Sequence, residues 1–184
     1  MRHFWANLIG NQLVWLCAVI GAGHGLRWPA LLAAGAYVAS QLAMSARPGV
    51  DLKLLLVGVL CGLVVDGMAG ASGRVVYAAA WPNAAVAPIW ILALWAAFAM
   101  TLNVSLQVLQ RRVWLAAVLG LLAPLAYLSA ARGWSSVSFP TPSWHGVVLL
   151  AAGWAVALPL LSVCARHWQR NASPVTANTN GAHA

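Results

Sequence analysis

Charged side chains are scarce in this chain, making up 7% of 184 residues, against about a quarter in a soluble globular domain. Glutamate is absent, and Asp51 and Asp66 are the only acids, so the carboxylate pairs of acid–base hydrolases are nearly excluded within one chain. Cysteine is limited to Cys17, Cys61 and Cys164, each in a different apolar stretch, where inert buried thiols are expected. His3, His24, His145, His167 and His183 fall at the ends of apolar runs or near the chain end, without His-x-x-x-His, His-x-x-His or Cys-x-x-Cys spacing. A metal centre of the desaturase kind is therefore not expected, and no cofactor is assigned. Gly21-Ala22-Gly23-His24-Gly25 lacks the lysine and the preceding strand of a phosphate-binding loop and reads as a turn.

What the chain does have is apolar length. Hydrophobic residues make up 62% of it, which excludes an ordinary soluble domain. A hydrocarbon core about 30 Å thick needs roughly 20 apolar residues as a helix. Six runs of that order, at 4–22, 29–46, 52–71, 86–108, 113–130 and 146–166, are bounded by charge, proline or glycine clusters. The expected fold is all-α, a six-span transmembrane bundle over residues 1–168 followed by a disordered cytoplasmic tail at 169–184. Pro124 and Pro159 are expected to kink the fifth and sixth spans.

The formal charge of +8 would suggest nucleic acid in a soluble protein. Here the bases stand singly or in pairs between apolar runs, which makes them topology signals, and no nucleic-acid partner is expected. With six spans, Arg2, Arg47, Lys53, Arg111, Arg112, Arg166 and Arg170 share the side of both termini, while Arg27, Arg74 and Arg132 lie opposite. Seven bases against three place both termini in the cytoplasm by the positive-inside rule. Trp5, Trp114 and Trp168 then fall at inner boundaries, and Trp28, Trp81, Trp134 and Trp144 at outer ones, as two aromatic belts.

Two groups of polar residues lie at membrane depth. Asp66 sits on a face with Gly58, Gly62 and Gly70, spaced by four, along which another helix can approach closely. A lone acid there calls for a partner. Arg74 is about 12 Å further along a helix at 1.5 Å per residue, and Arg27 and Arg132 are the other candidates. The structural reading is an ion pair or hydrogen bond between helices; the functional one is proton transfer or cation binding. The second group, Asn7, Asn11, Gln12, Gln41, Thr101, Asn103 and Ser105, comes to one cytoplasmic-side depth from three spans, with Ser40, Gln107 and Ser162 nearby. Such residues serve as interhelical hydrogen-bond glue, or as a pocket for a lipid headgroup or small polar solute. Gly70-Ala71-Ser72-Gly73 matches the serine motif of intramembrane rhomboid-type proteases, with His145 expected at the same outer level.

Asn7, Asn11-Gln12 and Trp15, His24-Gly25 with Trp28-Pro29, Asp66, Pro88-Ile89-Trp90 with Trp95, Phe98 and Thr101-Leu102-Asn103, and Pro124-Leu125-Ala126-Tyr127 together resemble an uncharacterised bacterial inner-membrane family, the domain-of-unknown-function family 2878. The resemblance covers about residues 4–165. It implies a polytopic inner-membrane protein whose genes lie near those for fatty-acid-modifying methyltransferases and oxidoreductases, and it carries no catalytic residue. The resulting expectation is a non-enzymatic accessory or lipid-binding protein whose partners are membrane lipids and a membrane or lipid-modifying protein. A small-solute or ion transporter using Asp66, and an intramembrane serine hydrolase using Ser72, are the alternatives.

Overall fold

The computed structural model describes residues 1–171. The tail expected from 169 onward is helical as far as Asn171, and the rest of it lies outside the described residues. Eight helices and a two-stranded ribbon follow in the order α1 (Arg2–Gly23), α2 (Trp28–Met44), α3 (Pro48–Ala71), β1 (Val76–Tyr77), α4 (Ile89–Ala99), α5 (Val108–Arg111), α6 (Val113–Leu122), α7 (Pro124–Trp134), β2 (Val137–Ser138) and α8 (Trp144–Asn171). The chain is thus predominantly helical, as expected. Pro29, Pro48 and Pro124 stand in the first turns of α2, α3 and α7, where the missing N–H costs no intrahelical bond. Asp51 lies in the first turn of α3, a position favourable for negative charge.

Successive helical passes run in opposite directions. At one end β1 and β2 pair antiparallel, Val76 opposite Ser138 and Tyr77 opposite Val137. At the other, the Arg47 guanidinium donates to the Gln169 side-chain oxygen at 3.1 Å and to its backbone carbonyl. α3 packs on α4 and α8, α1 on α2, α2 on α4, and α6 along α8. α4 meets the glycine face of α3: a Cβ on Gly62 would overlap the Trp95 indole, and one on Gly58 would crowd Ala99. The outward surface carries exposed apolar side chains such as Leu13, Leu32, Leu60, Val118, Leu125 and Val156, the surface that a helix bundle presents to lipid.

Four helical stretches, Arg2–Gly23, Pro48–Ala71, Val113–Trp134 and Trp144–Asn171, are long and apolar enough to cross a membrane. Several expectations need revision. The stretch 86–108 is not one helix: α4 ends at Ala99 and turns occupy 100–107 before α5. The reason lies in its polar side chains, since Thr, Asn and Ser offer the backbone alternatives to a helical ladder. Carbonyls freed by the break find other donors: Thr101 Oγ1 to Phe98 at 2.6 Å, Asn7 Nδ2 to Met100 at 3.1 Å, and Gln110 Nε2 to Leu102 at 2.8 Å. Irregular backbone in a bundle core requires this compensation. The run 113–130 extends to Trp134 and is interrupted at Ala123, before Pro124, whereas α8 continues as one helix through Pro159. Cys17, expected to be buried, is exposed on α1.

Candidate functional site

Asp66 is fully buried, and its partners are aromatic donors. Tyr77 Oη and Tyr127 Oη donate to Oδ1, each at 2.8 Å, and Trp95 Nε1 donates to Oδ2 at 2.7 Å. Tyr127 Oη in turn accepts from Trp154 Nε1 at 3.2 Å. Trp95 and Trp154 stack with centroids 3.9 Å apart and planes 15° from parallel, and Phe98 meets Trp154 edge-on at 5.3 Å. One carboxylate on α3 therefore fixes side chains from the β1 segment, α4 and α7, and through Tyr127 the indole of α8. Arg27, Arg74 and Arg132 are all exposed and are not among these partners; the Arg27 guanidinium lies 5.8 Å from the centre of the Trp81 ring. Neutral donors satisfy the acid without burying a second charge, whose desolvation an ion pair must offset.

The polar residues of the opposite half divide into three groups. Asn7 is the hub of the first. Its Nδ2 donates to Tyr37 Oη at 2.9 Å and Gln41 Oε1 at 2.8 Å as well as to Met100, while its Oδ1 accepts from Ser105 Oγ at 2.6 Å. Tyr37 Oη returns a bond to the Asn7 carbonyl at 3.0 Å. α1, α2 and the unwound segment are joined there. The second group gathers at Asp51, which accepts from Asn103 Nδ2 at 2.6 Å and from Ser45 Oγ; Gln110 bonds Asn103 at 2.8 Å. Asn11, Gln12 and Thr101 form the third, and they line a cavity.

That cavity, of about 490 Å³, lies between α1, α4, α6, α7 and α8. Its walls are largely apolar and aromatic, with Trp15, Trp90, Phe98 and Leu158 beside the Trp95–Trp154 stack and Tyr127. Gln12 on α1, Leu119 and Leu122 on α6, and Ala126 and Ser129 on α7 line it and are exposed. The cavity thus opens sideways on the apolar flank of the bundle. Of the polar residues read from the sequence, Asn11, Gln12 and Thr101 border this space, and Trp95 and Tyr127, two of the three donors held by Asp66, form part of its wall. Volume and lining are those of a site for a small apolar molecule.

Tyr37, Tyr77, Tyr127, Trp95, Trp154 and Asp51 do not stand out as site residues in the sequence. A signal was present: the chain has three tyrosines, and a buried tyrosine hydroxyl needs a partner. Ser72 Oγ donates to the Ala69 carbonyl at 2.9 Å, and His145 packs on Trp144, ring centroids 3.9 Å apart. That geometry does not form a serine–histidine pair.

A family model described as a protein of unknown function, DUF2878, matches residues 4–160. The chain belongs to that family, whose extent takes in α1 through most of α8 and therefore the whole cavity. No curated protein and no solved structure matches the chain.

Proposed function

We propose that this protein is a multi-pass protein of the bacterial inner membrane that holds a lipid in the cavity between α1 and α6–α7, acting as an accessory to enzymes that modify membrane lipids. One observation carries the reading: an apolar, aromatic cavity of about 490 Å³ with amide and hydroxyl groups on its wall opens on the flank of the bundle. A ligand reaches such a site from the bilayer and not from water. Six spans with both ends cytoplasmic accord with seven bases against three. They also accord with exposed Trp5 and Trp114 toward one end of the bundle and exposed Trp28, Trp81 and Trp144 toward the other. Transport through Asp66 finds less support, because both carboxylate oxygens are taken by donors of the packed wall.

The test is extraction into native lipid discs and mass spectrometry of what stays with the protein. Ala126→Trp fills the cavity from its exposed side. Wild type is expected to retain a lipid that Ala126→Trp lacks; identical lipid content in the two folded proteins would remove the reading.

A further inference from the structure

We infer that the lipid held in this cavity is uncharged, with a head that hydrogen-bonds through hydroxyl or carbonyl groups and carries neither phosphate nor carboxylate. The inference rests on the lipid-holding reading and specifies its ligand. Among the described residues that line the cavity, none is Asp, Glu, Lys, Arg or His. Its polar complement is neutral: the amides of Asn11 and Gln12, the hydroxyls of Thr101 and Ser129, and the Trp15 indole, whereas Trp90, Trp95, Trp154 and Tyr127 give their protons to other groups of the protein. Amides present both donors and acceptors, and Thr101 Oγ1, whose proton goes to Phe98, presents an acceptor. That set matches an alcohol or a carbonyl. A phosphate in the same place would be an anion drawn into a poorly solvating space without a counter-charge, and buried charges persist where they are paired.

Two features show that this neutrality is local. Charge is available elsewhere: a second cavity of about 410 Å³, at the end of the bundle where Arg47 meets Gln169, is lined by His3, Arg47 and Asp51 among others. The acid nearest the apolar cavity, Asp66, does not line it; Trp95 and Tyr127 stand between and consume its acceptor capacity. An anionic headgroup would find cations at that end, whereas the flank cavity offers hydrogen bonds alone.

The experiment uses the full chain in phosphatidylcholine discs doped with equal amounts of diacylglycerol and phosphatidylglycerol carrying the same acyl chains. Lipid released from the purified complexes is quantified by mass spectrometry. Diacylglycerol is expected to be enriched over phosphatidylglycerol on wild type, to be lost in Ala126→Trp, and to fall about tenfold in Asn11→Leu, as loss of a pair of hydrogen bonds implies. Phosphatidylglycerol enriched on wild type and lost in Ala126→Trp would overturn the inference and leave the lipid-holding reading standing. No difference between wild type and Ala126→Trp for either lipid would overturn both. Should Ala126→Trp fail to fold, Ser129→Phe blocks the same opening from the next turn of α7 and is read in the same way.

Discussion

Asp66→Asn keeps the shape of the side chain and changes one of its two acceptor oxygens into a donor, so its effect follows from the hydrogen bonds. Tyr77 and Tyr127 donate to one oxygen and Trp95 to the other, at 2.7–2.8 Å. If the new amide nitrogen takes the place facing Trp95, two donors meet, because an indole nitrogen can only donate. If the amide flips, the tyrosine hydroxyls can accept from it, but their own protons lose an acceptor. Either arrangement leaves at least one buried donor unpaired, at a cost of about 1–3 kcal/mol. Hydrogen bonds within bundles in lipid fall toward the lower part of that range, averaging about 0.6 and reaching about 1.7 kcal/mol. We therefore expect Asp66→Asn to lose about 1–2 kcal/mol, roughly a tenfold shift in the unfolding equilibrium. The assay is equilibrium unfolding in mixed micelles of increasing dodecyl sulfate, followed by tryptophan fluorescence. Trp95→Phe removes the opposing donor, so the double variant should lose less than the sum of the singles, by about 0.5–3 kcal/mol for groups in one network. Asp66→Asn as stable as wild type, or strict additivity in the double variant, would refute the reasoning.

Gly62→Ala should cost about 1–3 kcal/mol in the same assay, since its Cβ overlaps the Trp95 indole and overpacked cores lose that much; Gly35→Ala, with no heavy atom within 4 Å of the new Cβ, should be neutral or slightly stabilising. Equal effects at the two positions would mean that α4 does not approach α3 as described. Asn7→Leu strands Gln41, Ser105 and Tyr37 together and should destabilise by at least about 1–3 kcal/mol; unchanged unfolding would show that this hub does not tie α1 to α2 and the unwound segment. Single cysteines at Arg112 and Ser143, in a background free of the native ones, should react with a membrane-impermeant maleimide from opposite sides of inverted and right-side-out vesicles. Labelling of both from one side would contradict six spans.

The helical character and the close face of α3 were legible because each depends on nearby residues, such as the small ones every four positions. The third run was expected from 52, whereas α3 starts at Pro48, because proline fits a first turn as well as a break between runs. The break in the fourth pass was legible in principle. Polar Thr101, Asn103, Ser105 and Gln107 alternate with apolar Leu102, Val104, Leu106 and Val108, a period of two that no helix face shares. An apolar run flanking the segment masks that alternation when only length and hydropathy are weighed. The partners of Asp66 were not legible, because they come from three elements that only the packing of α3 against α4 and the pairing of β1 with β2 bring together. Pairing the acid with an arginine followed from charge alone. In the bundle, three neutral donors hold the acid without a second buried charge.

This arrangement has a consequence for the cavity. The four-residue spacing that admits α4 at Gly58 and Gly62 also brings the Asp66 carboxylate, one turn on, within hydrogen-bond reach of Trp95 Nε1. Two of the three donors that satisfy the acid, Trp95 and Tyr127, belong to rings that form part of the cavity wall. The aromatic wall is held in place by an acid that does not itself line the cavity. Had an arginine been the partner, a long charged side chain would have had to thread to the same depth, and the space beside Trp95, Tyr127 and Trp154 would border a cation. A buried acid paired with indole and phenol is thus the same structural choice that leaves the neighbouring cavity neutral. For that reason the lipid-retention test and the unfolding of Asp66→Asn probe one wall from its two sides.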